Sequence, residues 1–251
     1  MVAKAASVMN KKKVEPSVGQ GYTEAARRRD ELVLVRHCAS VLAGLRPANL
    51  FSLSRDGQSK ELSETLTAYR QEFKDSSLKL RVFCHCANFA LVFLYRPSAL
   101  TKHLMQTDHR EILLRCGYER AFFTGTLAGT EQTLDFLGER LAESRKNHGT
   151  SAFPHEIGLF LGYPTADVLG FIRHSGRSAL VTGYWKVYER PLEKLLMFVE
   201  IKHWEKRFCE AVSAGARPVC LVRRAEGRQQ RCDGPRAAAR RIWSEGVKQR
   251  A

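Results

Sequence analysis

Apolar positions fall in blocks of different period along this chain, and each block predicts an element. Residues 31–45, ELVLVRHCASVLAGL, form an apolar run that fits either a helix or a strand. Arg46-Pro47-Ala48-Asn49 follows and predicts a turn. In 60–74, Leu62, Leu66, Tyr69 and Phe73 recur at helical spacing, the pattern of an amphipathic helix. Residues 80–95 are rich in β-branched and aromatic side chains and predict one long strand or two, ended by Arg96-Pro97. Residues 98–116 predict one broken helix or two short ones, closed by Gly117. Leu134, Leu137 and Leu141 predict a helix over 130–144, and the polar run Ser144 to Ser151 a loop.

The stretch 153–176, FPHEIGLFLGYPTADVLGFIRHSG, carries the densest signals. Pro154 suits the first turn of a helix, where Glu156 is favoured by the dipole, and Gly162 reads as its stop. Pro164 opens a second helix with Asp167 in its first turn, and Gly176 ends it. Residues 179–189, ALVTGYWKVYE, predict a strand. Pro191 starts a last long helix with Met197, Ile201, Trp204, Phe208 and Val212 on one face. Together these predict a single α/β or α+β domain over 31–214. Its sheet is small, mixed or antiparallel, with two to four strands packed by several helices.

Composition changes the picture mainly through charge. With 251 residues, 44% hydrophobic and 27% charged, the chain is neither disordered throughout nor fibrous. Of its formal net charge of +15, residues 1–30 supply +4 and 210–251 supply +6, so 1–30 and 215–251 read as basic, poorly ordered tails. Such tails are either arms for weak, non-specific nucleic-acid binding or simply solvated. The first 20 residues lack an apolar core of the secretory type, and no window approaches 18 consecutive apolar residues, so no membrane helix is expected. Seven cysteines at irregular spacing, none in a CxxC, argue against a disulfide framework or zinc ribbon and place the chain in a reducing cytoplasm.

Four pieces of candidate chemistry stand out. Cys38 is a nucleophile or ligand candidate, with His155 as base or ligand and Glu156 or His37 to fix the His155 tautomer; acyl or group transfer would follow. The alternative is that Cys38 packs and His155 meets a local hydrogen bond. On a strand, Cys84 and Cys86 share a side, so they clip a soft ion if His37, Cys38 or His155 joins them, or simply pack. Lys186 between Tyr184 and Tyr188 on one strand face would hold a carboxylate or phosphate, or else be a solvated edge lysine. Residues 154–173 also fit a helix-turn-helix, although the second helix offers Thr165, Ala166, Asp167, Leu169 and Gly170 outward, with Arg173 as its one base.

Three stretches together resemble the bacterial domain-of-unknown-function family 3793: HCASVLAGLRPANLF at 37–51, FPHEIGLFLGYPTADVLGFI at 153–172 and GYWKVY at 183–188. The chain has Ser40 after His37-Cys38-Ala39, where the family pattern has Pro. The resemblance implies a cytosolic bacterial protein and brings no established activity or cofactor. The sequence reading is therefore a small-molecule-handling protein or enzyme with a Cys/His site, formed where the three stretches converge. A DNA-binding regulator using 154–173 is the alternative. Whether the chain is an enzyme stays open.

Overall fold

Residues 23–54, 59–86, 89–146 and 153–222 are described by the computed structural model of the protein. The ambiguous run around Cys38 is helical: α1 spans Glu24–Leu42. The side chain of its N-cap, Thr23, accepts from the Ala26 amide and satisfies one of the helix's orphan donors. At the far end the Arg96 guanidinium donates to the Val41 and Leu42 carbonyls at 2.8 and 2.9 Å, setting a cation against the negative end of the helix dipole. Of the two expected tails, 1–22 and 223–251 lie outside the described residues. Glu24–Asp30 form the first turns of α1, with Asp30 buried, and Leu221 and Val222 are buried in the core.

The turn after α1 is shorter than the sequence suggests. Ala48 and Asn49 already belong to strand β1 (Ala48–Ser54). Asn49 looks like a turn residue, but its amide donates to the His37 carbonyl at 2.8 Å, which ties β1 back to α1. Helix α2 (Ser59–Phe73) buries Leu62, Leu66, Tyr69 and Phe73 on one face, as its spacing predicts. The aromatic block 80–95 is an antiparallel pair, β2 (Lys79–Cys86) and β3 (Phe89–Tyr95). The sheet order is β1-β3-β2. Central β3 is apolar on both sides because both faces are covered: Ala90, Val92 and Leu94 enter one core and Leu91, Phe93 and Tyr95 the other.

Four helices follow on the Phe93 side: α3 (Pro97–Leu104), α4 (Thr107–Arg115), α5 (Leu127–Lys146) and the four-residue α6 (Ile157–Phe160). Leu134, Leu137 and Leu141 of α5 and Ile157, Leu159 and Phe160 of α6 are buried there. Glu156, not Pro154, precedes the first residue of α6. Helix α7 (Thr165–Arg173) adds Val168 to this core. Residues 179–189 are not one strand but a tight hairpin in which only β4 (Val181–Thr182) and β5 (Lys186–Val187) pair. The reason lies at Gly183: a Cβ there would stand 2.3 Å from the Phe198 ring, so glycine lets the hairpin bend hard against the last helix. That helix, α8 (Pro191–Ser213), gives Phe198 and Ile201 to one core and Phe208 and Val212 to the other. The architecture is α+β: one antiparallel sheet with helices on both faces and a small second hairpin.

Two predictions arise from this packing. Gly162, at φ +73°, ends α6 in the left-handed region, and a Cβ there would stand 2.5 Å from Pro47 Cδ. Strain and clash act together, so Gly162→Ala is expected to lower stability by about 2–3 kcal/mol in urea unfolding. A change under half of that would mean the two signature turns do not press on each other as described.

The second concerns pH. The His103 and His109 rings lie 4.3 Å apart. Burial, then the neighbouring His109, lowers the His103 pKa to about 4, partly opposed by a backbone hydrogen bond at Leu159. The folded state thus resists protonation that the unfolded chain accepts near 6.5. Stability is full above pH 6.5 and falls as pH drops from 6.5 towards 4, by about 2–3 kcal/mol for this group. His103→Gln should flatten that part of the stability–pH curve; an unchanged slope would place the effect elsewhere.

Candidate functional site

A cleft of about 640 Å³ opens where α8 passes edge strand β1. His37, Ser40, Arg46, Asn49 and Phe51 line it from the first signature stretch, Tyr163 from the second, and Gly183 and Tyr184 from the third. The volume suits one small organic molecule. Leu50, Leu91, Phe198 and Ile201 give the wall its apolar part, and Arg36, Lys202 and Glu205 bring charge to it.

Arg46 is the unusual group. Its residue is 5% exposed, yet it forms no ion pair among the described residues. Nε donates to Ser40 Oγ at 3.0 Å and Nη2 donates to Asn49 Oδ1, while Nη1 is buried with no hydrogen-bond partner among the described residues. The guanidinium also lies 5.3 Å from the Tyr163 ring centroid. A buried cation held only by neutral groups is unfavourable until an anion meets it. The carboxylate on the same wall is already engaged: Glu205 accepts from Tyr184 Oη at 2.7 Å and from Lys202 Nζ at 2.9 Å. Burial pushes the Tyr184 phenol up, and its bond to Glu205 adds to the shift. His37, half-buried, stacks on Phe51 with ring centroids 5.3 Å apart. Burial and the neighbouring Arg36 lower its pKa, which favours a neutral imidazole.

A much smaller cavity, about 60 Å³, adjoins the cleft and shares Tyr163 and Tyr184 as walls. His155 and Lys186 line it. The His155 ring packs between Phe153 and Phe171, at 5.5 and 4.9 Å, and its Nδ1 is buried without a partner among the described residues. Burial lowers its pKa, with Glu156 pulling the other way. Glu156 itself turns away: it accepts from Arg140 Nε at 2.7 Å and from Tyr118 Oη at 3.5 Å. Lys186 donates to the Gly176 carbonyl and sits 5.8 Å from the Phe171 ring centroid. The hairpin parts the two tyrosines expected beside Lys186. Tyr184 goes to the cleft, and Tyr188 stacks on His174 at 5.6 Å with its hydroxyl buried and, among the described residues, unpartnered.

His155, Tyr184 and Lys186 are thus brought together, and His37 joins them through the shared wall. Cys38 is not. It is fully buried with Leu34, Leu42, Leu62 and Val92 in the core on the other face of the sheet, and burial pushes its thiol far above the ordinary range. That is the setting of a packed thiol, not an activated one. Among the described residues no three His, Cys, Asp or Glu side chains group as metal ligands, so Cys84 and Cys86 gain no third ligand from His37, Cys38 or His155. In the segment 154–173, Asp167 and Gly170 face inward, and the exposed side of α7 shows Leu169, Ile172 and Arg173.

Three residues that build the site escape a sequence reading. Arg46 and Asn49 look like turn residues; the signal was a polar pair inside an otherwise apolar segment. Asp167, 2% exposed, accepts from Trp185 Nε1 at 2.8 Å and from the Tyr188 and Glu189 amides at 2.7 and 3.3 Å. It locks α7 to the hairpin. Trp185 in turn stacks on Tyr163 at 5.0 Å and meets Phe198 edge-on at 4.5 Å, so this carboxylate supports two side chains of the cleft wall from behind.

Fold and site together define an α+β protein with an arginine-floored cleft at the open edge of its sheet. The chain belongs to the family described as protein of unknown function (DUF3793), whose model matches residues 34–222. This bears out the resemblance seen in the sequence. No curated protein and no solved structure matches the chain. Among the described residues no helix is long and apolar enough to cross a membrane.

Proposed function

We propose that the protein handles a small organic anion, a carboxylate or phosphate on an apolar body, in the cleft between α1, β1, the hairpin and α8. The observation that carries this reading is the buried Arg46 guanidinium, which among the described residues lacks an acidic partner and keeps one nitrogen unpartnered, on a residue that lines a largely apolar cleft. A planar fork of donors suits a two-oxygen anion. Leu50, Phe51 and Phe198 would take the apolar body, and His37 and Tyr184 flank it. Function in the cytoplasm is part of the proposal, supported by six free cysteines among the described residues.

A thermal-shift panel tests it. Benzoate, indole-3-acetate and phenyl phosphate are compared with benzamide and indole-3-acetamide. At a hundredfold excess over Kd a bound anion stabilises by about 2.7 kcal/mol, so a rise of roughly 5–10 °C is expected from at least one acid and none from the amides. Equal shifts from acids and amides, or none from any, would overturn the reading.

A further inference from the structure

Across the sheet from the cleft's edge strand, the opposite edge carries a second chemical feature. Cys84 and Cys86 lie near the end of β2 with their sulfurs 3.7 Å apart. A bulge explains the geometry: Val82 pairs with Val92 but Cys84 pairs with Leu91, so Phe83 is an extra residue and the strand twists there. Cys86 is exposed and Cys84 partly so, whereas Cys38 is sealed in the core. From the end of α5, Arg145 Nη2 donates to Cys86 Sγ at 3.1 Å. Its guanidinium sits 5.6 Å from the ring centroid of Phe89, the cross-strand partner of Cys86.

We propose that Cys84 and Cys86 form a redox-active dithiol that closes reversibly to a disulfide by exchange with small-molecule disulfides such as oxidised glutathione. Cys86 attacks, because it is the more exposed sulfur and a guanidinium beside it supports the charge of a thiolate. Cys86 gives its proton to solvent and its sulfur bonds to one glutathione sulfur; the glutathione disulfide breaks, and the released thiolate takes up a proton. Cys84 then gives its proton to solvent and attacks Cys86 Sγ, expelling the second glutathione, whose thiolate also takes up a proton. Two protein thiols are oxidised and one glutathione disulfide is reduced to two thiols. Residues two apart on a strand are separated by about 6.6 Å, at the long end of what a disulfide spans, so the bond is strained and readily reduced.

The test uses the full chain in buffers from fully reduced to fully oxidised glutathione, quenched in acid, alkylated and digested with trypsin. Cleavage after Arg81 and Lys102, with the Arg96-Pro97 bond left intact, leaves both cysteines on one peptide. That peptide is expected to lose two hydrogens and resist alkylation before Cys38 reacts. Cys84→Ser should trap a lasting glutathione adduct on Cys86, and Arg145→Gln should slow modification of Cys86 by roughly 3–10-fold. Two separate glutathione adducts on the wild-type peptide, or a Cys86 disulfide to a distant cysteine, would overturn the proposal.

Discussion

Replacing Asp167 by alanine is expected to destabilise the fold by about 3–5 kcal/mol, the largest single effect outside the deep core. The carboxylate is buried and meets three donors, the Trp185 indole and two backbone amides of the hairpin strand end. Alanine leaves the buried indole and the two partly buried amides without their acceptor, and each buried unmet donor costs about 1–3 kcal/mol. Asp167→Asn keeps one acceptor oxygen and should lose about half as much. Urea unfolding at pH 7 measures both. The anion-dependent shift should weaken in step, because Tyr163 and Tyr184 lose the wall that seats them. A loss below about 1 kcal/mol for alanine would show that the hairpin is held by apolar packing alone.

The second large effect is on binding. Arg46→Met should weaken the best anion by at least roughly thirtyfold, since truncating one side of a buried charge pair costs about 2–5 kcal/mol. Arg46→Lys is not conservative here: it keeps the charge but loses the fork that bonds Ser40 and Asn49, and should recover only part of the affinity. Glu205→Gln acts in the opposite direction, removing a negative charge from the wall, and should tighten binding. Calorimetric titration of the three variants gives the ordering. If Arg46→Met binds as wild type does, the guanidinium is structural.

Much of the fold is legible in the sequence wherever burial is one-sided. Leu62, Leu66, Tyr69 and Phe73 mark α2, and Leu134, Leu137 and Leu141 mark α5, because each helix faces one core and solvent. The run 31–45 resists reading because Cys38 through Leu42 are all buried, which erases the period. Strand β1 is missed for a related reason: a short edge strand carrying Asn49 and Ser52 looks like loop. The hairpin at 179–189 needs Gly183 against Phe198, a contact between residues too far apart in sequence for any local pattern.

The site divides along the same line. That stretches 37–51, 153–172 and 183–188 converge is an expectation drawn from their likeness to one family, with no spacing in the sequence behind it. Which side chains would face one another is not legible. Cys38, singled out for its reactivity, points to the far side of the sheet, whereas Ser40 and Arg46 of the same stretch line the cleft. Glu156, placed beside His155 by adjacency, leaves around the turn before α6 to reach Arg140. Neighbours on a tight turn diverge, so adjacency in sequence says little about shared chemistry there.

The most direct measurement is a crystal structure of the protein with the tightest-binding acid from the panel. The ligand's oxygens are expected within hydrogen-bond distance of the Arg46 guanidinium, its apolar body against Phe51 and Phe198, with Glu205 still bonded to Tyr184. An acid bound away from the cleft, or in the cleft with its charge turned from Arg46, would overturn the assignment of Arg46 as the anion holder.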